Sequence, residues 1–126
     1  MLNLKTSADV YLEEADDLLD KGDIIQASEK YYKAAEEAIK ILASVIGIDV
    51  TKDVKDKGWT GEAIDKAVFS LVSILGNWII ESWGAAISLI TVNFDLQQIR
   101  KYRESIVRLV QVADERLNNK LAEGSR

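Results

Sequence analysis

The stretch IRKYRESIVRLV, residues 99–110, sets Arg100, Lys101 and Arg103 around Tyr102. Cationic side chains supply affinity for phosphates and an aromatic ring can stack on a base, so this is the best sequence candidate for a phosphate or RNA contact. A plainer reading outweighs it. Tyr102 also falls on an apolar helical seam, which would make it core, with the cations pairing with acidic neighbours. Glu13, Glu14, Asp16 and Asp17 have the composition of a carboxylate cluster, yet they lie opposite the apolar stripe of their helix and read as a solvated face. Glu81 is the only charge between Ala67 and Val92. It reads as a boundary side chain facing water, with a buried pairing to Arg100 or Lys40 as the alternative.

Much other chemistry is excluded by what is missing. The chain has no histidine, hence neither the commonest general base nor the commonest metal ligand. It has no cysteine, so there is no thiol nucleophile, disulfide framework or thiolate metal site. Zinc would have to be held by carboxylates alone. No glycine-rich phosphate loop, serine nucleophile motif or dinucleotide fingerprint appears. No catalytic residue, metal or cofactor is therefore expected. A formal charge of -5 argues against general nucleic-acid binding. The charge is uneven: residues 1–23 balance to -5 and residues 97–126 to +3, so the first and last segments are expected side by side in one bundle, or across two subunits.

The elements that position these groups are helical. A chain of 126 residues suffices for one domain, 1–126, and the absence of proline suits long helices joined by short turns. Ala8, Tyr11, Leu12, Ala15, Leu18 and Leu19 recur at steps of three and four, predicting a first helix over about 6–21. Gly22 suits a left-handed cap, and Asp23 with Gln26 forms a capping-box-like pair opening a second helix, 24–46. That helix turns Ile24, Ala27, Tyr31, Ala34, Ala35, Ala38, Ile41, Leu42 and Val45 inward and ends at Gly47. GIDVTKDVKDKGW reads as a polar connection with room for one short helical turn after Thr51, the least ordered interior segment, with Trp59 folded back over the bundle end.

The run from Ala67 to Val92 is strongly apolar. A membrane span needs about 20 apolar residues, but Gly76-Asn77 reads as a stop and a new cap, and Glu81 would sit near the bilayer centre. Two helices, 61–75 and 78–92, are expected instead, buried in the bundle centre or at a subunit interface. Asp95 with Gln98 opens a last helix, 96–121, with Ile99, Tyr102, Ile106, Leu109, Ala113, Leu117 and Leu121 on its seam, and NNKLAEGSR is expected to fray. The expectation is an all-α, up-and-down bundle of four to five helices. Nothing at the N-terminus reads as a signal peptide, and a cytoplasmic protein with no membrane association is expected.

KGDIIQASEKYYKAAEEAIK also matches the tetratricopeptide pattern locally. Moving 34 residues on from Gly22, Ala27, Tyr31 and Ala34 lands on Asp56, Gly61, Asp65 and Val68, so no second repeat appears. At longer range, YLEEADDLLDKGDIIQASEKYYKAAEEAIKILASVIG, then GW, Trp83, Ala86 and Asn93-Phe94, resembles the archaeal PaREP family from about Ala8 to Val110. The resemblance places the chain in the broader HEPN (higher eukaryotes and prokaryotes nucleotide-binding) helical group. It implies a HEPN-like bundle, commonly dimeric, in a group containing many ribonucleases and partners of nucleotidyltransferases.

The HEPN ribonuclease signature is an Arg followed four to six residues later by His. Counting from Arg100, Ser105, Ile106 and Val107 stand there; counting from Arg103, Arg108, Leu109 and Val110 do. Thr91 stands where the family pattern has a further His before Asn93-Phe94. No catalytic residue carries over. The leading expectation is a non-catalytic interaction module that self-associates, with a dimer favoured, or docks a protein partner through helices 61–75 and 78–92. Trp78, Ile79, Trp83 and Ile87 are its expected interface residues. The alternative is a HEPN-like nucleotide or RNA binder that uses Arg100, Lys101 and Arg103.

Overall fold

Each helix begins or ends where a side chain or a glycine can satisfy the backbone groups it leaves open. In the computed structural model, which describes residues 5–124, the chain forms α1 (Ser7–Asp20), α2 (Ile24–Ile46), α3 (Val50–Lys57), α4 (Gly61–Leu75), α5 (Trp78–Thr91) and α6 (Leu96–Gly124). No strand occurs among the described residues. The protein is all-α, as expected, and forms a helical bundle.

The α1–α2 turn shows how short such a junction can be. Gly22 has φ +79°, and the next N–H, that of Asp23, bonds back to the Leu18 carbonyl at 2.9 Å. The Asp23 carboxylate accepts the Gln26 N–H at 3.2 Å. Since the Asp23 N–H is already taken, the reciprocal half of the expected capping box is absent. It is complete at α6: the Gln98 N–H donates to Asp95 Oδ1 at 2.8 Å, and the Asp95 N–H donates to Gln98 Oε1 at 3.1 Å. Gly76, φ +108°, ends α4 as expected, but Asn77 makes no cap bond. Instead the Trp78 Nε1–H donates to the Leu75 carbonyl at 2.8 Å, satisfying one of the last acceptors of α4.

Three expectations need correction. The five-helix count misses α3, which stands in the connection taken as least ordered. Val50 is buried and Val54 packs on the core one turn later, so the polar segment has an anchored apolar edge. Its order of charge, Asp53 in the first turn and Lys55 and Lys57 in the last, also complements the helix dipole. Second, α6 continues to Gly124 through the segment expected to fray, and the Lys120 ammonium donates to the Val45 carbonyl at 3.2 Å near the end of α2. Ser125 and Arg126 lie outside the described residues.

Third, the centre of the bundle is α2, not the most apolar pair. α2 packs against each of the other five helices. Ala27, Ala34, Ala35, Ala38 and Ala43 are all fully buried. Small side chains on several faces let neighbouring axes approach from several directions, whereas bulky ones hold them off. Around this axis Tyr31, Ile39, Leu42, Leu71, Ile79, Ile99, Ile106 and Leu109 fill the core, each large apolar side chain contributing about 1.5–3 kcal/mol by leaving water. Trp59 packs half-buried on that core. No helix among the described residues is long and apolar enough to cross a membrane.

Candidate functional site: a tied flank and an open apolar face

The acidic first helix and the basic last one do meet within one chain. α1 packs on both α2 and α6, and the Arg103 guanidinium grips Asp16 with two bonds, Nε to Oδ1 at 2.7 Å and a terminal nitrogen to Oδ2 at 2.8 Å. The hydroxyl of Tyr31, a residue otherwise fully buried in α2, donates to the same carboxylate. Hydrogen bonding from Arg103 holds Asp16 below the usual carboxylate range, against the opposing pull of partial burial. Burial and the adjacent carboxylate push the Tyr31 hydroxyl well above its ordinary range. Asp16 is thus no part of a solvated acidic face. The signal was present: on α1, Asp16 stands one residue after core Ala15 and three before core Leu19.

This pairing engages one of the three cations of the expected basic site. Arg103 is committed, and Tyr102 stacks on Phe94 with ring centroids 4.7 Å apart, which occupies one face of its ring. Arg100 and Lys101 remain exposed. The cleft beside them is lined by Asp16, Asp20 and Glu104 as well as Arg100 and Arg103, three carboxylates against two guanidiniums. A phosphate would meet net negative charge there.

A second polar tie lies nearer the N-terminus. The Thr6 hydroxyl accepts the Asp9 N–H at 3.2 Å and donates to Asp114 Oδ1 of α6 at 2.9 Å, while the Thr6 N–H donates to Asp9 Oδ2 at 2.9 Å. Burial, then the Asp9 carboxylate beside it, pushes Asp114 up to about 7. Burial also pushes Asp9 upward, but hydrogen bonds from Asp114 and Thr6 outweigh it and hold Asp9 below the usual range. Among the described residues no group of three or more acids is placed to hold a metal.

On the opposite side, α4 and α5 show what the apolar run became. α5 buries Ile79, Ser82, Trp83, Ala86 and Leu89. That leaves Ile80, Gly84, Ile87 and Thr91 facing outward at helical spacing, with Glu81 and Ile90 exposed beside them. The Ser88 hydroxyl donates to the Gly84 carbonyl at 2.9 Å and the Thr91 hydroxyl to the Ile87 carbonyl at 2.9 Å, so the polar atoms of this stripe are spent internally. Phe69 of α4 is 65% exposed, with Ile74 also outward. Glu81 is exposed, as the boundary reading expected.

Of the four expected interface residues, two are corrected. Ile79 is fully buried and Trp83 nearly so, both in the chain's own core. Trp78 is half-buried beneath the Arg108 guanidinium, 4.3 Å from its ring centroid. Only Ile87 faces outward. The outward residues that sequence reading passed over, Phe69, Ile80 and Gly84, are those left when the buried positions of each helix are marked at steps of three and four.

Residues 3–110 match the archaeal PaREP1/PaREP8 family. The chain belongs to that family. Two solved structures are similar to this PaREP1/PaREP8 chain. One is the crystal structure of a protein from Sulfolobus solfataricus, 40% identical, with a TM-score of 0.85, covering 90% of this chain and 98% of that one. The other is a solution structure of an open-reading-frame protein, 38% identical, with a TM-score of 0.79, covering 92% and 95%. Among curated proteins none matches. The PaREP1/PaREP8 match takes in Asp16, Tyr31, Arg103 and the whole α4–α5 hairpin, whereas Asp114 and Lys120 lie beyond it.

Proposed function

We propose that this chain is a non-catalytic helical module that pairs with a second copy of itself through the outer face of α4 and α5. The observation that carries the reading is the outward stripe of α5. Ile80, Gly84 and Ile87 lie in a row, the neighbouring hydroxyls are satisfied within the helix, and Glu81 is the helix's only charge. A Cβ built on Gly84 would meet nothing within 4 Å, so the space over this glycine is open. An open glycine between two exposed isoleucines suits a close two-fold approach of this surface to its copy. A stable pair buries about 800 Å² on each partner, more than one such stripe offers, so α4 contributes Phe69 as a large apolar anchor. Light scattering in detergent-free buffer is expected to give twice the chain mass of 14.0 kDa. A monomer persisting at millimolar concentration would overturn the pairing and return the face to a different protein partner.

The second reading, a HEPN-like nucleotide or RNA binder, is favoured by the exposure of Arg100 and Lys101 on α6. Its expected third cation is held by Asp16. It requires salt-sensitive binding of RNA or nucleotide that is lost when Arg100 and Lys101 are neutralised.

A further inference from the structure

A cavity of about 180 Å³ lies where α2, the start of α4 and α5 converge. Tyr32, Glu36 and Lys40 line it from α2, four residues apart and so on one helix face; Trp59 precedes α4, Asp65 lies on it, and Trp83 comes from α5. Three of these six side chains are aromatic. The rings of Tyr32 and Trp83 stand 5.6 Å apart between centroids and are inclined at 40°, so they form a splayed corner instead of closing on each other.

Trp83 supplies a second, independent observation. Its side chain sits in a residue only 6% exposed, and its Nε1–H makes no hydrogen bond to any described residue. No other buried side-chain polar atom among the described residues is left in that condition. Buried indole N–H groups ordinarily find an acceptor, so this donor marks loose packing around the Trp83 ring.

The charge around the cavity has a sign. Glu36 and Asp65 contribute two carboxylates, and Lys40 contributes one ammonium, already shared between Glu36 at 3.6 Å and Glu37 at 3.0 Å. Burial first, then Glu36 and Asp65, raise the Tyr32 hydroxyl, as a negative local potential requires. Aromatic faces bind cations through their quadrupoles, and do so best for alkylated ammonium groups, which shed water easily. An anion would face both the carboxylates and the π faces. The volume decides the size class: it is about six times the share of one liquid water and below the ~300 Å³ of drug-sized sites. It suits a compact head group with a short tail.

We propose that this cavity is a binding site for a small alkylated ammonium compound, choline being the simplest example. The cationic head sits among Tyr32, Trp59 and Trp83, and Glu36 and Asp65 balance its charge. The site does not depend on the pairing proposed above. Of its lining only Ile87 also belongs to the outward stripe, so a failure of one proposal leaves the other standing.

The test is a titration of the full ¹⁵N-labelled chain with choline, following the tryptophan indole N–H resonances by NMR. One of them is expected to shift saturably in the millimolar range and to be absent from Trp83→Phe, which keeps a ring and removes the donor. 3,3-Dimethylbutanol, the uncharged carbon analogue, is expected to bind about tenfold more weakly or worse. Asp65 is exposed, so Asp65→Asn tests the charge without disturbing the core, and it is expected to weaken choline about threefold to tenfold. Absence of any indole shift at tens of millimolar choline would overturn the proposal. So would equal binding of choline and its neutral analogue, which would make the cavity merely apolar.

Discussion

On the flank where α1, α2 and α6 meet, polar groups reach between helices and close on one another: Arg103 and Tyr31 on Asp16, Thr6 on Asp114, Lys120 on Val45. On the α4–α5 side the outward groups include the apolar Phe69, Ile74, Ile80, Ile87 and Ile90, and the Ser88 and Thr91 hydroxyls turn back into their own helix. Directional bonds on the flank fix the register of helices already in contact. The open face has no such bonds, and its exposed apolar side chains gain free energy only when something covers them. Changes on the flank should therefore register in stability, and changes on the face in assembly.

The largest stability effect is expected in the core between these regions. Ile106 is fully buried on α6, and Ile106→Ala should cost about 2–5 kcal/mol in denaturant unfolding. A cost under about 0.5 kcal/mol would place α6 outside the cooperative core. Next comes the flank itself. Arg103→Ala leaves Asp16 still bonded to Tyr31, and both members of the ion pair are about a third exposed, so solvent screening limits the loss to about 1–2 kcal/mol. The oligomeric state should not change. If it did, the flank would share in the pairing proposed for the open face.

The carboxyl pair gives a pH-dependent effect of similar or smaller size. Asp114 holds its proton in the folded chain to about 7, far above its ordinary value, so its contribution declines as pH rises from about 4 to about 7 and stays low above that. Asp9, held below its ordinary value, contributes above about pH 4 and loses that contribution as the pH falls further. Stability from the pair therefore peaks on the acid side of neutrality. The Tm should fall by about 5 °C between mildly acid and mildly alkaline buffer, equivalent to about 1 kcal/mol in a domain of this size. Asp114→Asn should flatten that slope, because its amide donates to Asp9 at every pH. A slope unchanged in the variant would assign it to other groups.

Local patterning made much of the fold readable in advance. Three- and four-residue spacing with Gly22, Gly47 and Gly76 places four of the helices within a residue of their observed bounds, and the Asp95–Gln98 box places the start of α6, because those signals act inside one segment. What depends on tertiary contact was less readable. α3 looks polar until Val50 and Val54 find the core. Total apolarity left α4 and α5 either at the centre or at a subunit interface, and the small buried residues of α2 give the centre to α2. Asp16 shows the limit in part: its place between core Ala15 and Leu19 hints at burial, and its bond to Arg103, 87 positions away, shows what it is buried against. The cavity at Trp83 draws on three separate segments, and no periodicity within any one of them announces it.

Pairing through the open face can be decided by sedimentation equilibrium on three proteins. These are the unaltered chain, Ile80→Lys on the open face and Gln111→Lys at an exposed position of α6 on the flank. Both substitutions should leave unfolding free energies within about 0.5 kcal/mol of the original. A dimer is expected for the unaltered chain and for Gln111→Lys, and a monomer for Ile80→Lys. A dimer that survives Ile80→Lys, or an unaltered chain that sediments as a monomer, would contradict pairing through this face.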